Sequence, residues 1–478
     1  MEYVSTRGNA PVLDFEGVTL TGLASDGGLY LPREWPRFSD EEIRSMRGEP
    51  YWAVAARVMK PFVGTCLSDD ELIQLCQEVY AEFSHDAVTP LVQLDNRHWL
   101  LELFHGPTLA FKDVALQMLG RLFETFLERR DARLTIVGAT SGDTGSAAIR
   151  AVAGLDRVEI FMLHPHGKVS DVQRRQMTTV RAPNVFNIAI EGSFDDAQRH
   201  VKQMFADEAV NAPLGGPLNL GAVNSINWAR LMAQVVYYFY AGVQLGAPDY
   251  KAAYSVPTGN FGDIFAGYVA AQMGLPIEQL IVATNVNDIL HRALSSGDYS
   301  AGGVTPTITP SMDIQVSSNF ERLLFDVGGR DGAAMAAQMR GFEKEQAMQL
   351  TNAQREGASG LFASYSADQN ETSQALQWAY QAAGQVIDPH TAVGVSAAKQ
   401  ALEAGDLGGV PMVTLATAHP AKFRDAVERA TGVRPSLPPR VGDLFGREER
   451  YAELGGSYEA AREYVLANSA HGTGDAAA

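Results

Sequence analysis

From about Trp99 onward, short apolar runs rich in β-branched and aromatic residues recur, each followed by a loop and then by a helical pattern. Clear examples occupy 134–137, 158–163, 185–190, 280–283 and 412–415. They show little alternation, so they suit strands covered on both faces, and the helical stretches between them suit crossovers joining parallel strands. The fold class expected from this rhythm is α/β. The first hundred residues lack a glycine-rich strand-to-helix turn and carry mixed polar and aromatic segments such as 51–59, as a helical accessory domain would. The tail from Asn468 through Gly472, Thr473 and Gly474 to three alanines has too little apolar content to dock, so it is expected to be mobile.

Charge narrows the partners. With 38 Lys and Arg against 56 Asp and Glu, the net charge is −18, which gives no long-range attraction to nucleic acid or an anionic membrane surface. Any anionic ligand must therefore be held by local groups. The start of the chain has no basic segment leading into an apolar one, so a cytoplasmic location is expected. The most apolar stretch, 231–247, is interrupted by Gln234 and Gln244 and is shorter than the roughly 20 residues of a bilayer span, so it reads as a buried helix. Cys66 and Cys76 read as reduced thiols. Ser193 and Asp196 resemble a capping box opening a helix whose Phe194, Ala197, Val201, Met204 and Phe205 face the core, and 330–385 reads as polar surface helices.

Three segments carry glycines and small hydroxyl residues at the ends of apolar runs, where ligands of open parallel sheets bind, and they could share one cleft. In the first, Phe104-His105-Gly106-Pro107-Thr108-Leu109-Ala110-Phe111-Lys112-Asp113, a lysine opens an apolar helix. The helix dipole and desolvation both favour its neutral amine, the form that condenses with aldehydes, although taken alone the residue is better explained as a solvated cation paired with Asp113. In the second, 138–145, backbone N–H groups and the hydroxyls of Thr140, Ser141 and Thr144 make a donor site for a carboxylate or phosphate. Asp143 repels an anion there unless it caps the helix or pairs with a cation. The third, Val256-Pro257-Thr258-Gly259-Asn260-Phe261-Gly262-Asp263, can bring its backbone close to a tetrahedral anion with no basic residue present. A structural turn remains the alternative for both glycine loops.

A candidate amine with two anion loops suggests a phosphorylated aldehyde cofactor, for which pyridoxal 5′-phosphate is the economical choice. Here the chain resembles the threonine synthase family, within the tryptophan-synthase β-like, fold type II class of pyridoxal-phosphate enzymes. The likeness runs from about residue 100 to 430, and the block from His105 to Asp113 is close to diagnostic for the longer bacterial and fungal branch. That resemblance implies two open parallel-sheet domains flanking a cleft: a larger, discontinuous cofactor domain at 98–128 and 226–430, and a smaller one at 129–225. Residues 1–97 would be the accessory domain and 431–478 a C-terminal extension with the mobile tail.

Residue by residue, the resemblance makes Lys112 the lysine that condenses with the cofactor and then moves protons. Gly259, Asn260, Phe261, Gly262 and Asp263 become the loop around the cofactor phosphate, and Thr417 the hydroxyl that meets the pyridine nitrogen. His419 is a loop histidine without a catalytic role. Thr140, Ser141 and Thr144 would receive the substrate carboxylate, with Asp143 standing where the shorter branch has an asparagine. Asn224, Ser225 and Arg230 would hold the substrate phosphate; read without the family, Arg230 is an ordinary helix-surface arginine. No metal is implied. The implied reaction turns O-phospho-L-homoserine and water into L-threonine and phosphate, carried out by a monomer. A serine or threonine dehydratase of the same fold is the rival activity, and it would have no substrate phosphate for Arg230 to hold. A non-catalytic cofactor-binding relative is the rival from another class.

Overall fold

The computed structural model describes residues 1–211, 220–221, 223–405 and 407–470, so the tail expected to be mobile lies outside the described residues beyond Ala470. The chain divides into two compact units: Met1–Val18, Leu23–Phe111 and Ser225–Pro435 make the first, and Thr19–Gly22, Lys112–Asn224 and Ser436–Ala478 the second.

The first unit is built on a six-stranded sheet in the order Phe362–Ser366, Ile277–Thr284, Ala252–Pro257, Met412–Ala416, His98–Glu102, Leu91–Gln93. Every neighbouring pair is parallel except the last, where Leu91–Gln93 folds back antiparallel at the edge. Ala252–Pro257 and Met412–Ala416 are buried along their whole length, which is why their sequences run apolar without alternation. The apolar stretch centred on 231–247 forms the helix Trp228–Gln244, whose residues from Trp228 to Val243 are all buried. A helix buried on every side needs cover all round. The N-terminal segment supplies part of it, with ring centroids of Phe62 at 5.6 Å and Tyr3 at 5.9 Å from Trp228, Phe38 at 5.6 Å from Phe239 and Tyr51 at 5.0 Å from Tyr240.

Two expectations need correction. The first ninety residues hold the helices Phe15–Thr21, Asp40–Arg44, Tyr51–Val63 and Asp69–Tyr80 but also a two-stranded antiparallel sheet, Tyr3–Ser5 with Tyr30–Pro32. The stretch 330–385 is not helical throughout, because Phe362–Ser366 is an edge strand of the large sheet. Its sequence, Phe-Ala-Ser-Tyr-Ser, has the polar content of a half-exposed edge and lacks the apolar density of the central strands.

The second unit holds a five-stranded, fully parallel sheet in the order Ala452–Leu454, Val185–Ile190, Val158–Pro165, Leu134–Ala139, Leu220–Gly221. Its core gathers Phe161, Leu163, Ile188 and Ile190 from the strands with Ala197 and Met204 from the helix Phe194–Ala206. The capping box is present: Ser193 Oγ accepts from the Asp196 N–H at 3.2 Å and the Asp196 carboxylate accepts from the Ser193 N–H at 2.7 Å. Phe205 departs from the expected core face and is 36% exposed.

His164 on the central strand is buried, and neither of its ring nitrogens has a hydrogen-bond partner. Burial pushes its pKa down to about 4. The unfolded chain takes up this proton near pH 6.5, so the stability contribution is present above that pH and is lost as pH falls toward 4. We expect His164→Leu to shrink the loss of stability between pH 7 and pH 5 by about 2 kcal/mol in urea unfolding, in line with that shift.

Candidate active site

In the second unit, the strand Leu134–Ala139 ends in a loop that turns into the helix Asp143–Val152. The turn requires glycine at 142, where φ is 144° and a Cβ would come within 2.5 Å of Gln173 Cδ. Thr140 Oγ1 accepts from the N–H groups of Gly142 and Gly145, both at 2.9 Å, so this buried hydroxyl organises the loop and keeps its own proton to donate. Ser141 is exposed and Thr144 half-buried.

Asp143 is buried at the first position of that helix. Its Oδ1 accepts from Gln173 Nε2 at 2.8 Å, and its Oδ2 lies 3.7 Å from Lys112 Nζ. Lys112 opens the helix Lys112–Arg129 with a side chain only 12% exposed, so it is not the solvated surface cation that its sequence context also allowed. The cation that makes Asp143 tolerable in an anion loop is thus the candidate amine. Gln173, which fixes the carboxylate, was not anticipated; it lies on a different helix, and nothing near it in sequence points to Asp143.

The first unit carries the other residues. The strand Ala252–Pro257 leads through Thr258–Phe261 into the helix Gly262–Gln272. Phe261 adopts φ 63°, which turns the chain sharply into the helix, and a Cβ on Gly259 would lie 2.8 Å from the Ser311 carbonyl oxygen. The N–H groups of Gly259, Asn260, Phe261 and Gly262 donate to no protein acceptor among the described residues. Four such donors at a helix N-terminus fit a phosphate dianion without a basic side chain. Asp263 turns its buried carboxylate to the hydroxyls of Tyr237 and Tyr238, the latter at 3.3 Å.

Thr417 follows the strand Met412–Ala416 and is 6% exposed. Its N–H donates to Thr391 Oγ1 at 3.2 Å, and its carbonyl accepts from Phe111, the residue preceding Lys112 in the chain, at 2.8 Å. Thr391 Oγ1 donates in turn to Asp388, which caps the helix Pro389–Ala404. His419 caps a single turn through Nδ1, as a loop histidine should.

Asn224 ends a segment of the second unit and Ser225 begins one of the first. Arg230 lies in the helix Trp228–Gln244 and is 4% exposed, so it is not the helix-surface arginine its sequence alone suggested. Its Nε and Nη1 have no hydrogen-bond partner, and burial lowers its pKa to about 10. A buried guanidinium without acceptors is costly unless an anion completes it.

Family models match nearly the whole chain: threonine synthase N terminus at residues 2–80, pyridoxal-phosphate dependent enzyme at 83–418, and threonine synthase, C-terminal, at 391–465. The threonine synthase of Pseudomonas aeruginosa is 55% identical over 455 residues, covering 95% of this chain and 96% of its own. The chain belongs to the threonine synthase family. Among solved structures, PLP-bound threonine synthase from Brucella melitensis superposes with a TM-score of 0.95 at 51% identity, covering 98% of this chain and all of its own. Yeast threonine synthase gives a TM-score of 0.92 at 38% identity over 98% of each chain. As a member of this family the chain is a pyridoxal-phosphate-dependent lyase of fold type II. Among the described residues no group of three or more His, Cys, Asp or Glu is placed to hold a metal ion, and no helix is long and apolar enough to cross a membrane.

Proposed function

We propose that this member of the threonine synthase family acts on O-phospho-L-homoserine and water, giving L-threonine and inorganic phosphate. The observation that carries this reading is Arg230, a buried guanidinium with Nε and Nη1 unpartnered. Its planar fork suits two oxygens of one phosphate. Asn224 and Ser225 are assigned to the same phosphate.

The unpartnered N–H groups from Gly259 to Gly262 would hold the phosphate of pyridoxal phosphate, with Asp263 bracing the first turn of the helix through Tyr237 and Tyr238. Thr417 would meet the pyridine nitrogen with a neutral hydroxyl, which does not enforce a protonated ring. When bound, the cofactor supplies an aldehyde for the amine and a sink for the negative charge that develops on the substrate.

Lys112 Nζ does the proton work. As the free amine it removes the α proton of the substrate and, once it has handed that proton on, a β proton; the Cγ–O bond breaks and phosphate leaves, taking up one proton. A proton is delivered to Cγ, the oxygen of water bonds to Cβ as that water gives up a proton, and Cα is reprotonated, so the three protons released from Cα, Cβ and water match the three taken up by Cγ, Cα and phosphate. Asp143, 3.7 Å from Nζ, is placed to stabilise the ammonium each time Lys112 carries a proton. Thr140, Ser141 and Thr144 would orient the substrate carboxylate through their hydroxyls and the loop backbone.

The rival is a dehydratase, which has no substrate phosphate for a buried arginine. Purified enzyme given O-phospho-L-homoserine should release phosphate and threonine in equal amounts, while L-serine yields pyruvate at least about a thousandfold more slowly, the scale of discrimination open to a site built around a substrate polar group. Faster deamination of serine would overturn the reading. Family resemblance further supports a cytoplasmic monomer, which size-exclusion chromatography of the holoenzyme at assay concentration would check for its oligomeric part.

A further inference from the structure

Between the segment that begins at Ser225 and the glycine loop lies a pair of side chains that neither family motif includes. Asn319 Nδ2 donates to two carbonyl oxygens at once, Asn260 at 2.9 Å and Ser225 at 3.2 Å, and the Asn319 N–H donates to Asn260 at 3.1 Å. The approach is close: a Cβ on Gly262 would lie 3.2 Å from Asn319 Nδ2 and 3.7 Å from the Ser225 oxygen. Asn319 Oδ1 accepts from Arg322 Nη1. Arg322, with no solvent exposure, donates from Nη2 to the Ile226 carbonyl at 2.6 Å and from Nε to the Tyr30 carbonyl at 2.9 Å.

The N-terminal segment is anchored at the same place. Thr6 Oγ1 and Arg7 Nε both donate to Glu321 Oε1, at 2.6 and 3.1 Å, and Tyr30 pairs with Ser5 in the small sheet. One buried cluster therefore reaches the carbonyls of Ser225, Ile226, Asn260 and Tyr30. A carbonyl held from behind turns the N–H of the following peptide to a defined direction, since the peptide unit is planar. Holding the Asn260 carbonyl aims the Phe261 N–H, and holding the Ser225 and Ile226 carbonyls fixes the turn that leads into the helix bearing Arg230.

We infer that Asn319 and Arg322 are positioning residues that lock the glycine loop and the Ser225–Ile226 turn to each other, and that the N-terminal segment completes this lock through Tyr30. The inference rests on the proposed roles of those two segments. Neither side chain touches the reacting groups; each sets the direction of donors that do. The two phosphates, one on the cofactor and one on the substrate, are then bound by segments that lose alignment together.

The test uses full-length Asn319→Ala and Arg322→Lys. Apo-protein is titrated with pyridoxal phosphate by absorbance, and KM and kcat for O-phospho-L-homoserine are measured at saturating cofactor. Losing the shared donor should raise the cofactor Kd and the substrate KM each by about tenfold, the effect of one or two net hydrogen bonds, with kcat changed less than about threefold. A merely structural role would lower the melting temperature and the fraction of active protein while leaving both constants unchanged, and that result overturns the inference. Should Arg322→Lys fail to fold, Asn319→Ala decides alone, because it removes the amide and leaves the buried arginine its two carbonyl acceptors. The cofactor titration needs no substrate. Failure of the wild-type enzyme on O-phospho-L-homoserine would therefore remove the functional reading and leave the cofactor arm to decide the inference separately.

Discussion

Lys112→Ala is expected to reduce threonine formation by about two to four orders of magnitude, the range associated with loss of a positioned acid–base group. The cofactor should still associate through the glycine loop, because that loop's donors belong to the backbone. Its covalent attachment and the absorbance that goes with it should vanish. The substitution also removes the cation 3.7 Å from the buried Asp143 carboxylate and leaves Gln173 Nε2 to hold it. Some stability should be lost on that account, and Lys112→Ala combined with Asp143→Asn should recover it without recovering activity. Stability and rate separate in this pair, so a fall in activity is not mistaken for unfolding. A Lys112→Ala enzyme with more than a tenth of wild-type turnover contradicts the assignment of the amine.

Arg230→Met is expected to move stability and activity in opposite directions. In the protein without substrate the guanidinium is buried with Nε and Nη1 unpartnered, and burial has already pushed its pKa down to about 10. Replacing an uncompensated buried charge with an apolar chain of similar length relieves desolvation, and thermal unfolding should show stabilisation of about 1 to 4 kcal/mol. The same change removes the donors proposed for the substrate phosphate. A loss of roughly a hundred- to a thousandfold in kcat/KM, carried mainly by KM, follows from deleting one partner of a desolvated charge pair. Steady-state kinetics and calorimetry on the same preparation check both signs. An unchanged KM would remove Arg230 from the substrate site, and a destabilised variant would mean that its charge is compensated within the free protein.

Much of the fold could be read locally. Strands such as Val158–Pro165, buried at every position, announce themselves by mostly apolar runs without alternation, broken here only by Glu159 and His164, and the helix over Trp228–Gln244 does so by having few polar residues, Arg230 and Gln234 among them. Ser193 and Asp196 carry the capping geometry within four residues. Phe362–Ser366 escaped because an edge strand needs only half the apolar content. The candidate site divides along the same line. Its loops were legible because a strand end, glycines and hydroxyls lie together in sequence. The groups that hold those loops in place were not: Gln173 behind Asp143, Thr391 behind Thr417, and Asn319 behind Asn260 act across long sequence separations. Asp388 caps the helix that begins at Pro389, and its connection through Thr391 to Thr417 exists only in the folded chain. Arg230 misled because a single arginine in an apolar helix says nothing about whether it faces solvent or the interior.

The identity of the amine can be measured without any variant. Holoenzyme treated with borohydride and then digested should carry a pyridoxyl group on the peptide that contains Lys112, in an amount matching the cofactor bound. Recovery of the group on another lysine, or its complete release from the protein after reduction, would contradict the account.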